Sequence, residues 1–236
     1  NYSCSVLSND NLKCWGRNVE GQLGMGSHIH LYAPGNAINL GSRQTAKQVS
    51  AGFEHACALL ADDTMKCWGG NVFGQLGTGV SGFLAGLNAP PTSPIFFGVG
   101  RKPTQIAVGA NNSCAILDDK TLKCWGRNHN GQLGYGNKTQ LNSPSSAPIN
   151  LGTGRTAKQV GVGSQHICAL LDNDTVKCWG FSTDGRLGNG TGQGNDLDTP
   201  PSTPIDLGTG RTAKQISVGA GHTCAILDNN TMKCWG

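Results

Sequence analysis

Short apolar runs alternate along this chain with polar tips and glycine corners, and the same succession returns again and again. One copy reads Cys57-Ala58-Leu59-Leu60, then Ala61-Asp62-Asp63-Thr64, then Met65-Lys66-Cys67-Trp68. Two apolar runs around an Asp/Asn tip predict a β-hairpin, because these side chains cap tight turns through their own backbone. Comparable tips stand at Asn9-Asp10-Asn11, Asp118-Asp119, Asp172-Asn173-Asp174 and Asp228-Asn229-Asn230. A glycine corner follows each of the first four hairpins: Gly21-Gln22-Leu23-Gly24, Gly74-Gln75-Leu76-Gly77, Gly131-Gln132-Leu133-Gly134 and Gly185-Arg186-Leu187-Gly188. Paired glycines imply unusual backbone angles or close approach, with the leucine pinning the corner to the core. After a variable polar loop come Pro94-Ile95-Phe96-Phe97, Pro148-Ile149-Asn150-Leu151 and Pro204-Ile205-Asp206-Leu207, which read as edge-type strands opened by proline. Last come the small-residue runs 47–52, 104–109, 158–163 and 214–219, each ending in glycine. Their alternating apolar positions suit a tightly packed strand. Four strands per unit are predicted, in an all-β chain.

All ten cysteines and all five tryptophans belong to the hairpins. The cysteines pair as Cys4/Cys14, Cys57/Cys67, Cys114/Cys124, Cys168/Cys178 and Cys224/Cys234, nine residues intervening each time, and the second members lie 53, 57, 54 and 56 residues apart. A fixed recurrence of this length marks a repeat array, divided on this reading into units 1–51, 52–108, 109–162, 163–218 and a partial 219–236. With the tip centred near Asp62, Cys57 and Cys67 lie opposite each other on neighbouring strands, where Cβ atoms are about 4.5–5.5 Å apart. A disulfide needs about 3.5–4.5 Å, so five bridges within hairpins are expected, each contributing about 3 kcal/mol in the chain-entropy picture.

Gly-Gln-Leu-Gly corners, Cys-Trp-Gly hairpin ends and a His after the small-residue strand, in fixed order over essentially the whole chain, resemble the repeat of the regulator of chromosome condensation family. The resemblance implies a β-propeller, commonly of seven blades, built from four-stranded sheets around a channel. About four and a half units are present. Because the hairpin occurs at both ends, the chain is expected to be either a segment of a larger closed propeller or part of an open array. Asn1 already falls inside a repeat, so the natural start is expected to lie further upstream.

Composition narrows the function classes. Charged residues are 14% and glycine 36 of 236, as suits short strands joined by many turns. The formal charge of +4 is spread along the chain, without the basic run that tracks a phosphate backbone, so nucleic acid is not an expected partner. No stretch approaches the ~18 apolar residues of a membrane-spanning helix.

Candidate chemistry is sparse. His55, His166 and His222 precede a first cysteine by two residues, where the other copies have Tyr2 and Asn112; too few ligands recur with them for zinc, so a structural role is expected. The acidic tips lack the ligand series of a calcium loop. Lys13, Lys66, Lys123, Lys177 and Lys233, with Arg43, Arg101, Arg155 and Arg211, are expected as solvated residues, with an anion-binding cationic band as the alternative. The tryptophans are expected in seams between blades rather than as stacking platforms. No nucleophile triad, phosphate loop or carboxylate pair stands out, so neither catalysis nor a cofactor is expected.

Paired cysteines suit an oxidising compartment, and six Asn-x-Ser/Thr sequons agree: Asn1, Asn111, Asn137, Asn173, Asn189 and Asn229. Asn173 and Asn229 fall at hairpin tips, Asn137 and Asn189 in the loop after the glycine corner, and Asn111 beside a strand. The expectation is an extracellular or cell-surface scaffold that presents its unequal insertions, 80–92 and 191–203, to a protein or glycan partner, and that could self-assemble into a filament. Alternatives are nucleotide exchange on a Ran-type GTPase, carried from the resemblance, and inhibition of a secreted enzyme or glycan binding by the loops of one face.

Overall fold

The computed structural model describes residues 2–190 and 194–236. Its fourteen strands are β1 (Tyr2–Val6), β2 (Leu12–Gly16), β3 (Ala46–Ala51), β4 (His55–Leu60), β5 (Met65–Gly69), β6 (Pro103–Val108), β7 (Asn112–Leu117), β8 (Leu122–Gly126), β9 (Ala157–Val162), β10 (His166–Leu171), β11 (Val176–Gly180), β12 (Ala213–Val218), β13 (Thr223–Leu227) and β14 (Met232–Trp235). They form five antiparallel sheets: β1-β2, β3-β4-β5, β6-β7-β8, β9-β10-β11 and β12-β13-β14. Each sheet is a blade, and each small-residue strand pairs with the hairpin that follows it. The hydrogen-bonded sheets therefore cut across the units drawn from the sequence, each of which ends between such a strand and its hairpin.

Every hairpin turns through a three-residue loop whose last residue has a left-handed backbone: Asp10, Asp63, Lys120, Asp174 and Asn230, with φ of 60 to 65°. The residue before it offsets the strain. Asp62 Oδ1 accepts from the Thr64 amide at 3.0 Å and hydroxyl at 2.7 Å, and Asp119, Asn173 and Asn229 cap their own turns alike. The register that results sets Cys57 against Cys67, and likewise in the other four hairpins. All five disulfides are formed, at Cα separations of 4.0–4.1 Å, and no cysteine is free.

The fourth, proline-led segment differs from expectation. It is extended chain docked on its sheet by one amide rather than a paired strand: Ile38, Ile95, Ile149 and Ile205 donate to Leu12, Met65, Leu122 and Val176 at 2.8–2.9 Å. In three of the four copies the preceding proline has no N–H to extend the ladder. The carbonyls at the end of the segment turn instead to the neighbouring blade. A second docking point closes the same sheet edge, because Leu31, Leu87, Leu141 and Leu197 bridge in both directions to Gly16, Gly69, Gly126 and Gly180. Covered at both ends, the outer strand offers little template for pairing.

Apolar side chains collect in the seams between blades. Successive residues of β4 point to opposite faces: Ala56, Ala58 and Leu60 join the cluster shared with Leu12, Cys14, Leu23, Ile38 and Leu40, while Cys57 and Leu59 join Ile106, Val108, Ala115, Leu117 and Trp125 of the next blade. Both faces are buried, so the strand reads as an unbroken apolar run. The alanine after the first cysteine of a blade, Ala58, Ala115, Ala169 or Ala225, shares a buried cluster with a cysteine of the blade before it.

Candidate interaction face and the seams that hold it

Several kinds of polar contact, buried or part-buried, hold neighbouring blades in register. The first is the tryptophan: Trp68, Trp125 and Trp179 are fully buried, and each indole N–H donates to a corner carbonyl of the preceding blade, Gln22, Gln75 or Gln132, at 3.0 Å. The following corner glycine leaves room for the ring. Gly77 has φ +72°, and a Cβ there would lie 2.7 Å from Trp125 Nε1, with the same crowding at Gly24, Gly134 and Gly188. The seam role expected for the tryptophans is thus realised for these three.

The second contact is the lysine beside the second cysteine. Lys66, Lys123 and Lys177 are buried, and each ammonium donates to the carbonyl that ends the previous blade's proline-led segment: Leu40, Phe97 and Leu151, at 2.9–3.1 Å. Burial lowers the pKa of Lys123 and Lys177. For these three this corrects the expectation of solvated lysines or a cationic band, because their charges cap backbone carbonyls between blades, whereas Lys13 is half-buried and Lys233 exposed. The arginines, by contrast, are partly exposed and pair with the tips of their own blades: Arg101 with Asp118 and Asp119, Arg155 with Asp172, Arg211 with Asp228. A β-bulge in β3 re-aims Lys47 at Asp63, and the same bulge in β9 and β12 aims Lys158 at Asp174 and Lys214 at Asn230.

The third contact joins the inner strands. Gln48 Nε2 donates to Ile106 O at 2.9 Å while its Oε1 accepts from Ile106 N at 3.1 Å, and Gln159 grips Ile216 in the same way. Gln105 Oε1 accepts from Val160 N. Four inner strands are laced side by side by these amides.

The histidines belong to the seams too. His55 Nε2 lies 2.9 Å from Ser113 Oγ, whose own proton goes to Gln75 O at 2.8 Å, so His55 donates as a neutral ring. His166 meets Thr223 Oγ1 at 3.1 Å. Burial pushes the pKa of His55 down to about 3; burial, with Arg186 and His222 adding, brings His166 to about 4. His222 is exposed. Both buried rings are neutral in the fold and charge on unfolding, so their cost appears as pH falls below about 6.5 and grows until the folded-state values near 3 and 4 are reached. Between pH 7 and 5, urea unfolding should lose about 2 kcal/mol per buried histidine. His55→Asn, the residue found at position 112 of the next blade, should flatten that dependence by about half.

With the seams fixed, variable loops emerge at the end of the blades opposite the hairpin tips. A buried asparagine that the sequence reading passed over anchors each of the first three. Asn71 Nδ2 donates to Val80 and Ala85 carbonyls while Oδ1 accepts from Leu76 N. Asn18 and Asn128 repeat the pattern. The signal was available, since all three stand three residues after the hairpin tryptophan. In the fourth copy Ser182 takes this place, bonded to Asp196 and Asn195, and Arg186 replaces the corner glutamine, lying 5.1 Å over the Phe181 ring.

The insertion 80–92 is held by Asn71 at Val80 and Ala85 and carries between them Phe83 and Leu84, 86% and 101% exposed. Its Ser81 also accepts from Gln140 of the next loop. Beside it, Arg127 lies 5.1 Å over Phe73, whose ring meets His129 edge-on at 6.0 Å. Tyr32, 98% exposed, lies in the corresponding loop of the first copy, after Gly21-Gln22-Leu23-Gly24. Rigidly footed aromatic tips on neighbouring loops are the features of this molecule best suited to grip a partner.

Of the sequons, Asn173 and Asn229 are exposed at hairpin tips, and Asn137 and Asn189 are exposed in the loops. Asn111 is half-buried, with its Ser113 sealed in a seam. Asn1 lies outside the described residues, as do positions 191–193 at the start of the fourth insertion. Among the described residues no three His, Cys, Asp or Glu side chains converge as a metal cluster, and no helix is long and apolar enough to cross a membrane.

Family models described as the regulator of chromosome condensation (RCC1) repeat match residues 46–75, 104–132, 157–186 and 213–236 in one form and 12–59 and 124–170 in another. The chain is 29% identical over 236 residues to the ultraviolet-B receptor UVR8 of Arabidopsis thaliana, covering 100% of this chain and 51% of that protein. In structure it is similar to yeast RCC1 (Prp20), solved bound to Kap60, with a TM-score of 0.82 at 21% identity, covering 100% of this chain and 54% of that one. The ectodomain of the Physcomitrella patens receptor kinase CR4 has the fold at a TM-score of 0.59 and 21% identity, covering 100% and 49%. The chain thus spans about half the length of each of these three.

Proposed function

The chain belongs to the regulator of chromosome condensation repeat family, and from that premise we propose that it is a non-catalytic interaction scaffold acting in an oxidising compartment, at the cell surface or outside the cell. The observation that carries the compartment is the set of five disulfides, one per blade, with no cysteine left over. Such bridges are rare in a reducing cytosol. That the same fold serves as an ectodomain in a receptor kinase is consistent with this compartment.

The scaffold role draws on the division of labour described above. Buried polar groups go into blade register, and the footed loops carry the exposed aromatics, with the tip of residues 83–84 as the principal contact for a protein partner. Phe83→Ser with Leu84→Ser should weaken binding at least tenfold, read by surface plasmon resonance, and leave the thermal midpoint within about 1 °C, since exposed tips contribute little to folding. A filament of stacked copies is the assembled form of this reading, and electron micrographs containing only isolated closed rings would exclude it.

Labelling intact source cells with a membrane-impermeant reagent, followed by non-reducing peptide mapping, tests the compartment. Surface-labelled protein with five intra-hairpin bridges is expected; unlabelled protein carrying ten free thiols would refute it. A second reading, exchange on a Ran-type GTPase, draws on the likeness to yeast RCC1. Unaccelerated release of fluorescent GDP from such a GTPase would remove it.

A further inference from the structure

Five hairpin tips share one turn, and three of them, at Asn9, Asn173 and Asn229, carry asparagine at the capping position, of which the last two alone are followed two residues on by a threonine. In the second and third blades the capping residue is an aspartate: Asp62 accepts from Thr64, and Asp119 from the Thr121 amide and hydroxyl at 3.1 and 2.6 Å. In the fourth and fifth blades it is an asparagine. Asn173 Oδ1 accepts from the Thr175 hydroxyl at 2.8 Å, and Asn229 Oδ1 from the Thr231 amide and hydroxyl at 3.1 and 2.7 Å. All of these bonds use the side-chain oxygen alone, which aspartate supplies equally well. What asparagine adds is Nδ2, and at neither position does that nitrogen meet a protein acceptor. Both side chains are exposed. Neighbouring polar groups are already engaged, Arg155 with Asp172, Lys158 with Asp174, Arg211 with Asp228 and Lys214 with Asn230. A bulky addition at Nδ2 would therefore break no contact of the fold.

We propose that Asn173 and Asn229 are N-glycosylation sites, set on adjacent blades at the end opposite the variable loops. The inference rests on the oxidising-compartment reading, since the modifying machinery lies on the secretory route. The step is a substitution at an anomeric carbon. The amide nitrogen displaces the diphosphate of a polyprenyl diphosphate-linked oligosaccharide, the new C–N bond forms as the C–O bond breaks, and one N–H proton is lost. No oxidant or reductant takes part.

Two of the other described sequons, at Asn111 and Asn137, offer less. Asn111 is half-buried, and the hydroxyl of its Ser113 is enclosed by His55 and the Gln75 carbonyl. Asn137 is built into a loop foot: its Nδ2 donates to Tyr135 O, its Oδ1 accepts from Thr139 N, and its carbonyl accepts from Asn128. Glycans confined to the tips would shield the charged end of the blades and leave the Phe83 loop free to bind.

The full chain secreted from a eukaryotic host, mapped by glycopeptide mass spectrometry, tests this. An oligosaccharide on both Asn173 and Asn229 is expected. Asn173→Asp and Asn229→Asp should each remove one glycan and leave the circular dichroism spectrum and the five disulfides unchanged, because aspartate already caps this turn in two blades. A bare amide at either position overturns the proposal. Thiol titration of the same sample separates the two readings: unmodified tips in a fully bridged chain refute the glycan alone, and free thiols refute the compartment.

Discussion

Trp125→Ala should lower the unfolding free energy by about 4 kcal/mol, the range for emptying a large aromatic site in a close-packed core. The ring is fully buried between the second and third blades, edge-on to Phe97 at 5.8 Å and packed with Leu76 and Ile95. Its N–H is bonded to Gln75 O, which also accepts from Ser113, so the carbonyl keeps a partner and the loss is chiefly one of packing. The same joint can be broken from the other side. Gly77→Val forces a β-branched residue to φ +72° and drives its Cβ to 2.7 Å from the indole, and a loss of at least the same size is expected. Trp15→Ala, at a half-buried ring, should cost less than half as much. Urea denaturation followed by circular dichroism compares all three. A loss below about 1 kcal/mol for Trp125→Ala would mean that the seam is not the site of cohesion.

Reduction should have the other large effect. Each bridge closes a short loop and contributes about 3 kcal/mol in the chain-entropy picture, so a phosphine reductant should unfold the chain at temperatures where the oxidised form is native. The order of attack should follow burial. Cys57–Cys67, Cys114–Cys124 and Cys168–Cys178 lie sealed in seams, and reductant reaches them only when a seam opens. Cys234 is exposed and Cys224 half-buried, so this bridge should be cleaved first. Alkylation of new thiols at timed intervals, with peptide mapping, reads the order. Simultaneous loss of all five bridges in the folded protein would contradict the packing described.

Local features were legible in the sequence. The hairpins, their tips and the disulfide pairing depend on residues at most ten positions apart, and five copies made the periodicity plain. The burial of Trp68, Trp125 and Trp179 followed from their recurrence beside a cysteine. Features spanning a seam were harder to read. Lys66 looks like any lysine on a strand until the Leu40 carbonyl of the previous blade comes within 2.9 Å. The histidines show their logic only in the register of neighbouring blades: His55 precedes a blade with Ser113, and His166 one with Thr223, whereas Asn112 precedes one with Ile167. The proline-led segments have the composition of edge strands, but their carbonyls are drawn to the neighbouring lysine and the ladder stops after one bond.

No disulfide crosses from one blade to another; each joins cysteines ten positions apart. A hairpin forms in about 1–10 μs, whereas a ribosome adds only about 5–20 residues per second. Each new pair of thiols can therefore meet within its hairpin seconds before the next pair is synthesised. Correct pairing among ten cysteines thus needs no contact between blades, because the register of each hairpin alone brings a sulfur to its partner.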